Sequence, residues 1–200
     1  MRSLATRQSN LAMSRYVKDA ENIVQAAGYD LVILETSGIG QSDTARRKEL
    51  AYLLGKLAKD RPVLVVGDFN AKVGNMLKKS DKTDLERRSV GRHGKGKRNE
   101  NGEDMVEYAQ NCGLYLCNTA FDKGAGKRTT WSMKWEKNGR SFWVNNMIDY
   151  VCCDADEKPL LSDAESKPQT ELFSDHNLVV ARFSSRTQWW MRRNKKQEKG

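Results

Sequence analysis

The sequence predicts an α/β fold, and two observations support this prediction. Amphipathic stretches with helical spacing alternate with short apolar runs along the N-terminal part of the chain, which is the order expected of α/β proteins. In addition, residues with carboxylate, amide and imidazole side chains stand directly at the ends of apolar runs, where an α/β sheet places its functional groups. We therefore expect a sheet whose strand ends carry the chemistry.

The first helix–strand step lies within residues 17–34. VKDAENIVQAAG has helical spacing and ends at Gly28, a suitable C-cap, and YDLVIL is a short apolar strand. SGIGQSD then supplies the small and polar residues of a loop.

The second step runs through residues 46–71, RRKELAYLLGKLAKDRPVLVVGDFNA. Leucines at helical spacing mark one apolar face of the predicted helix: Leu50, Leu53, Leu54 and Leu57. Pro62 then precedes VLVVG, which we predict to be a buried strand because it is continuously apolar. The strand ends at Gly67, and Asp68 follows it.

The remaining elements follow a polar segment. Residues 75–101 are basic and contain glycines, which predicts a mostly exposed loop. NGEDMVEYAQNCG predicts a helix with Met105, Val106 and Ala109 facing inward, and LYLCN predicts the strand after it. Further strands are predicted in KRTTWSM, NNMIDYVCCD and NLVVARFS, and the charged segment from Arg186 onward is predicted to be an exposed tail.

Charge and hydropathy restrict the class of protein. The 200 residues include 35 Lys and Arg against 26 Asp and Glu, which gives a formal net charge of +9. This excess favours a polyanionic partner such as nucleic acid, and ordinary solvated charge is the alternative. No apolar run reaches the roughly 18 to 20 residues of a membrane span, and no secretory signal is recognisable, so we expect a soluble, intracellular protein.

The cysteines give no sign of a metal site. Their spacing matches no zinc-ligand pattern, and we therefore predict reduced, mostly buried thiols at Cys112, Cys117, Cys152 and Cys153.

Three motifs place reactive side chains at strand ends. GDFNA contains Asp68 and Asn70, MIDYV contains Asp149, and SDHN contains Asp175 and His176. Hydrolysis of a phosphodiester requires a general base for water, donors for the phosphoryl charge and usually a divalent metal with oxygen ligands. Each motif alone is also explained as a turn, a strand-end carboxylate or a cap, but their order along the chain is far more restrictive.

That order, GDFNA, TTW, IDYV and SDH, resembles the latter part of the endonuclease/exonuclease/phosphatase superfamily over about residues 46–184. GDFNAKVGN, VGRHGKGKRNENGEDMVEYAQNCGLYLCNTAF and RTTW are similar to endonucleases of non-LTR retrotransposons and to host proteins of the craniofacial development protein 2 type. The resemblance implies a partial two-sheet α/β sandwich of this superfamily whose N-terminal half, with the metal-binding Glu, is missing. No segment before Asp68 matches the motifs of that half.

The resemblance also implies roles for individual residues. Asp68 would orient or deprotonate the attacking water, Asn70 would hold the scissile phosphate, and Asp149 would orient His176, which donates to a phosphate oxygen. Asp175 would lie near the metal. The implied cofactor is Mg²⁺, or Mn²⁺, the implied partner is DNA or another nucleic acid, and a retrotransposon-derived nuclease would act in the nucleus.

Four structural expectations follow. The strand ending at Gly67, the strand containing Ile148 to Val151 and the strand beginning near Leu178 should share one sheet, and Asp149 should hydrogen-bond to His176. Trp131 is expected in the core, where its large apolar area is best covered, and a place near the substrate face is the alternative. His93, in the basic glycine loop, is expected to be structural or solvent-facing.

Residues 1–44 resemble another family. RSLATRQSNLA and AAGYDLVILETSGIGQSDT are similar to a segment of the GTPase that serves cobalamin-dependent acyl-CoA mutases, but the sequence lacks a GxxxxGK[ST] phosphate loop. The predicted organisation is therefore an unrelated segment (1–44), the second half of an endonuclease-like domain (45–185) and a basic tail (186–200).

Three functions remain open at this stage. The first is a metal-dependent DNA endonuclease of retrotransposon type, truncated and weak or inactive. The second is a non-catalytic basic remnant that binds nucleic acid, and the third, less favoured, is a fragment of a GTPase or mutase chaperone.

Overall fold

The computed structural model divides the chain into two compact units, residues 1–56 and 57–200. The structure describes residues 22–23, 26–27, 63–75, 84–168 and 174–184. In the first unit, the amide of Ala27 donates to the carbonyl of Ile23 at 3.0 Å, a helical hydrogen bond inside the segment predicted to be a helix. The predicted leucine face and the basic tail lie outside the described residues.

The described part of the second unit is a mixed α/β structure with antiparallel sheets. Its elements are β1 (Leu64–Asp68), α1 (Asp84–Ser89), α2 (Glu100–Asn111), β2 (Leu114–Leu116), β3 (Trp131–Lys137), β4 (Arg140–Asn146), β5 (Asp149–Asp154), β6 (Leu161–Lys167) and β7 (Leu178–Phe183). The strands form three sheets, with the orders β1-β5-β2, β3-β4 and β6-β7. Among the described helices, none has the length and apolar character needed to cross a membrane.

The helix α2 confirms the predicted helix in this region. Its N-cap Asn99 accepts a hydrogen bond from the Gly102 amide at 3.0 Å and another from the Lys72 amide at 2.9 Å, which joins the helix start to the chain after β1. The predicted inward residues Met105, Val106 and Ala109 are buried. The helix therefore packs its apolar face inward, and its first turn supports the segment that follows Asp68.

Gly102 lies where α2 meets the backbone of Lys72, and an added Cβ would overlap the Lys72 carbonyl oxygen. We expect Gly102→Ala to lower the free energy of unfolding by about 1 to 3 kcal/mol, although alanine is the better helix former. The control is Gly126→Ala, since an added Cβ at Gly126 has no neighbour within 4 Å. Urea denaturation measures both, and equal midpoints would contradict this packing.

The prediction of one sheet for the three functional strands is wrong. β1 and β5 pair, but β7 pairs with β6 in a sheet of its own. The difference arises because β6, LSDAESK, was not predicted: its charged residues hide the alternation by which a strand is recognised.

The strand VLVVG is also less buried than predicted. Among the described residues β1 pairs with β5 alone and lies at the edge of the sheet that they form, and Leu64 and Val66 are 54% and 66% exposed. Edge strands are covered on one side only, so a continuously apolar run does not guarantee burial.

The described part of the segment 75–101, residues 75 and 84–101, departs from the mostly exposed loop that was predicted. It contains α1 and the buried Val90 and Ser89. Arg98 is 15% exposed on its side chain and binds Glu86 at 2.6 Å and Glu103 at 3.0 Å. Its charge therefore stabilises the fold instead of facing solvent.

The predicted burial of the cysteines is confirmed. Cys117, Cys152 and Cys153 are buried free thiols, and Cys112 is half-buried. Burial raises the pKa of the Cys112 thiol. Partial burial and the raised pKa both predict low reactivity of the Cys112 thiol.

Candidate active site

The candidate site begins with two carboxylates on neighbouring strands. Asp68, the last residue of β1, lies directly opposite Asp149, the first residue of β5. Side chains of directly opposed residues point to the same face of an antiparallel pair, with Cβ atoms about 4.5 to 5.5 Å apart. Like charges in this position destabilise a sheet. The pair is therefore not explained by the stability of the sheet.

His176 supplies the third group. Its Nδ1 lies 3.0 and 3.1 Å from the two carboxylate oxygens of Asp149, so the predicted Asp149–His176 hydrogen bond is confirmed. The His176 side chain is 34% exposed and that of Asp149 is 17% exposed, which leaves the imidazole open to solvent with the carboxylate behind it. One ligand atom from each of Asp68, Asp149 and His176 lies within 4.8 Å of the other two.

The position of His176 is fixed by backbone pairing with the start of β3. Ser132 donates its amide to the carbonyl of Asp175 at 2.9 Å, and Asn177 donates its amide to the carbonyl of Thr130 at 2.7 Å. The Ser174 hydroxyl also accepts from the His176 amide at 3.1 Å. These bonds hold the segment before β7 against a different sheet, which explains how His176 reaches Asp149 without sharing its sheet.

Thr130 is a positioning residue that the sequence analysis missed. It is fully buried, and its Oγ1 accepts hydrogen bonds from the amides of Ile148 at 2.9 Å and Asp149 at 3.1 Å. Because its carbonyl also binds Asn177, Thr130 connects the two segments that carry Asp149 and His176. The TTW motif contained the signal, but its threonines were interpreted only as strand formers.

Two further residues hold β5 in place. Asn118 is buried, and its side chain donates to the Asp149 carbonyl at 3.0 Å and accepts from the Val151 amide at 3.0 Å. Tyr150 is also buried, and its hydroxyl contacts the carbonyls of Ala71 and Met147, each at 2.9 Å. Tyr150 thus ties β5 to the chain that leaves Asp68.

Opposing effects act on the ionisation of Asp149. Burial is the main cause that raises its pKa, and the neighbouring carboxylate of Asp68 raises it further. The hydrogen bond with Thr130 and the charge of His176 act in the opposite direction. The balance is a raised pKa.

Asn70 is held beside Asp68 in a tight turn. Its backbone has φ 49°, in the left-handed region that asparagine tolerates better than most residues. The Asn70 amide donates to Asp68 Oδ1 at 2.8 Å, and its Nδ2 lies 3.3 Å from Asp68 Oδ2. Asn101 Nδ2 donates to the Asn70 carbonyl at 3.1 Å, which anchors the turn to α2. A carboxylate and an amide are therefore presented together.

Asp175 lies beside the site, outside the three converging groups. Its carboxylate accepts a hydrogen bond from Trp131 Nε1 at 2.7 Å. Trp131 is only half-buried, so its predicted place in the core is wrong: its indole N–H binds a carboxylate instead. The metal-binding role of Asp175 stays a prediction.

His93 is placed away from these contacts. Its amide donates to the Thr119 carbonyl at 3.0 Å, and its Nδ1 lies 3.6 Å from an oxygen of Asp122. This agrees with the structural role expected of it.

The donor set fits a hard divalent cation. Mg²⁺ is commonly held by one or two carboxylates and keeps several waters, and Asp68 and Asp149 offer such carboxylates on one face. His176 uses Nδ1 toward Asp149, so Nε2 is the nitrogen left for other contacts.

Comparisons with known proteins agree with this geometry. Residues 39–180 match the family model described as endonuclease-reverse transcriptase. Craniofacial development protein 2 of Bos taurus is 29% identical over 136 residues, which are 68% of this chain and 21% of that protein. The protein of the same name from Tragulus javanicus is 28% identical over the same shares. The chain thus spans about a fifth of the length of these curated relatives.

The N-terminal segment matches a different family. Residues 1–52 match the model of the methylmalonyl-CoA mutase-associated GTPase MeaB. The fused isobutyryl-CoA mutase of Geobacillus kaustophilus (strain HTA426) is 62% identical over 45 residues, which are 22% of this chain and 4% of that protein. Both predicted resemblances are confirmed. Because the endonuclease model covers well over half of the sequence, the chain belongs to the endonuclease-reverse transcriptase family.

Proposed function

We propose that this chain carries a Mg²⁺-assisted, phosphodiester-hydrolysing site of the DNA endonuclease type, with activity that is weak or absent in the chain as it stands. The observation that supports this most is the convergence of Asp68, Asp149 and His176 within 4.8 Å. Two directly opposed carboxylates are unfavourable in a sheet. Together with a histidine that binds one of them, they suit hydrolysis of a phosphodiester.

In this proposal the three groups have different tasks. Asp68, exposed at the end of β1, orients a water molecule and accepts its proton, while Asn70 next to it donates to a phosphate oxygen. His176 donates from Nε2 to another phosphate oxygen, and Asp149 holds the proton on Nδ1 and compensates the positive charge of the ring. A bound Mg²⁺ would supply charge neutralisation at the phosphate. Asp175 is proposed to lie near that ion.

We further propose that residues 45–185 form the second half of the domain, between an unrelated segment (1–44) and a basic tail (186–200). The motifs of this half are present, and those of the half with the metal-binding Glu are not recognisable before Asp68. The exposed face of β1, with Leu64 and Val66, is consistent with this, because a further layer would cover it. Loss of one metal ligand removes much of the electrostatic stabilisation on which catalysis depends.

A second candidate is a basic nucleic-acid-binding protein without cleavage. The net charge of +9 favours it, because attraction to phosphates does not require a complete site. Of the two, the converging side chains favour the hydrolytic site.

The test is nicking of supercoiled plasmid by the full chain, with Mg²⁺ and with EDTA. We expect weak nicking or none, together with salt-dependent DNA binding. Any Mg²⁺-dependent rate should vanish in both Asp68→Ala and His176→Ala. Robust nicking that both variants abolish would refute the proposed weak activity and support the site. Nicking that survives both substitutions would refute the site.

A further inference from the structure

Lys95 and Arg128 approach each other beside the candidate active site. Lys95 Nζ donates to Thr129 Oγ1 at 2.6 Å and lies 3.4 Å from the carbonyl of Ala125. Arg128 Nη1 in turn donates to the carbonyl of Gly94 at 3.4 Å. Each cation thus binds the backbone or hydroxyl of the segment that carries the other. Both side chains are half-buried.

These two cations differ from Lys127 and Arg98 in having no counter-ion among the described residues. No carboxylate of a described residue forms an ion pair with Lys95 or Arg128. By contrast, Lys127, adjacent in sequence, binds Glu165 at 2.9 Å, and Arg98 binds two glutamates. Lys127 and Arg98 are thus neutralised by carboxylates, whereas the half-buried Lys95 and Arg128 have none among the described residues.

The pair is costly for the isolated chain. Arg128 Nε is buried without a hydrogen-bond partner in the part of the chain that the structure describes. Burial, and to a lesser degree the charge of Arg128, lower the pKa of Lys95. An unsatisfied buried donor and two like charges in proximity both cost free energy unless an anion approaches.

The pair is also joined to the active-site framework. Thr129, which binds Lys95, precedes Thr130, which fixes Asp149. The Thr129 carbonyl accepts a hydrogen bond from Asn177 Nδ2 at 2.8 Å, next to His176 in sequence. An anion at this pair would therefore be held by the same short segment that positions the reactive groups.

We propose that Lys95 and Arg128 form a phosphate-binding subsite for the backbone of a DNA strand, separate from the scissile phosphate. This inference rests on the proposed function, because it assigns a second contact to the same substrate. Lysine supplies a compact point charge and arginine a directional fork of donors, a combination that suits a phosphodiester. Free inorganic phosphate presents the same chemistry and is distinguished by the test.

The test measures binding of a fluorescein-labelled DNA duplex by anisotropy, in EDTA and over a series of NaCl concentrations. Each phosphate contact contributes about 0.9 to the slope of log K against log salt. We therefore expect Lys95→Met and Arg128→Met each to lower this slope by about one. Lys95→Arg and Arg128→Lys, which keep the charge, should retain most of the slope.

The matched control is Lys127→Met, which removes the same charge from a lysine that is already paired with Glu165. Its slope should equal that of the parent chain. Equal losses in Lys95→Met and Lys127→Met would overturn the subsite, since they would report general charge alone. Inorganic phosphate is tested by NMR of the Gly94 and Gly96 amides. If phosphate shifts these signals while the Met variants keep the parent salt slope for duplex binding, the DNA subsite is overturned in favour of a site for free phosphate.

The two proposals fail separately because this binding assay needs neither metal nor cleavage. A lower salt slope for duplex binding in Lys95→Met and Arg128→Met supports the subsite even when no nicking is found. Unchanged slopes in a chain that nicks DNA through His176 refute the subsite and leave the hydrolytic site in place. Thermal melting of each variant by circular dichroism identifies any loss that comes from unfolding.

Discussion

Asp149→Asn is expected to reduce Mg²⁺-dependent nicking by about 100-fold to 10,000-fold, the range over which a positioned acid–base group contributes. In the parent chain the Asp149 carboxylate can only accept, so His176 must carry its proton on Nδ1. An asparagine amide can donate to Nδ1 instead. A neutral amide also cannot compensate the positive charge that the ring carries when it holds protons on both nitrogens and donates from Nε2 to the phosphate, so this donation is weakened.

The measurement is single-turnover nicking with excess protein, because the parent rate is expected to be low. Asp154→Asn is the charge-matched control: Asp154 lies on the same strand, and its side chain caps the turn at Asp156, which asparagine does equally well. It should nick at the parent rate.

A second readout does not depend on activity. ¹⁵N NMR of the His176 ring reports which nitrogen is protonated, and the proton should leave Nδ1 in Asp149→Asn only. An unchanged tautomer in that variant would remove the basis for the role of Asp149, whatever the nicking rates.

Thr130→Val should lower the free energy of unfolding by about 2 to 5 kcal/mol. Valine has nearly the same shape but cannot accept hydrogen bonds, so the buried amides of Ile148 and Asp149 lose their partner. Each unsatisfied buried group costs about 1 to 3 kcal/mol. The same change frees the start of β5, so nicking should fall by more than the loss of folded protein explains.

Thr130→Ser is the matched control, because serine keeps the hydroxyl that binds both amides. It should recover most of the stability, less the packing of one methyl group of about 1 kcal/mol. Denaturant titration measures both variants. If Thr130→Val and Thr130→Ser are equally stable, the two hydrogen bonds do not have the importance assigned to them.

The sequence identified the three residues that converge in the candidate site, but neither the residues that position them nor the way the fold assembles them. Asp68, Asp149 and His176 were found because each adjoins an apolar run, which is local information. Their approach was expected at one edge of one sheet. In the structure His176 reaches Asp149 from another sheet, through pairing between β3 and the segment before β7. Such pairing between distant segments has no signature in local periodicity.

Two strands were missed for different reasons. β4 follows an Asn138-Gly139 turn with positive φ at both residues, a strong signal for a hairpin that was present in the sequence but not used. β6 carries Asp163 and Glu165, whose charges are compensated by lysines from elsewhere in the fold. Such partners are known only from the structure, so the strand read as a loop.

In the polar segment 75–101 as well, the sequence does not show which charges are paired. This segment was predicted to be a mostly exposed loop, yet Arg98 is enclosed by Glu86 and Glu103. Composition records that a charge exists, and only the fold determines whether another charge meets it. This distinction separates Arg98 from Lys95 in the same loop.

The bridge between the sheets at residues 130–132 also has a consequence for dynamics. The segment before β7 is held there by the Ser132 and Asn177 amides, whereas the β1–β5 and β6–β7 pairings each have their own ladders of hydrogen bonds. Local opening with a free energy below that of global unfolding is common in such short connections. We therefore expect the Asp149–His176 contact to open at a lower free energy than the sheets, so that active-site assembly is an equilibrium separate from folding.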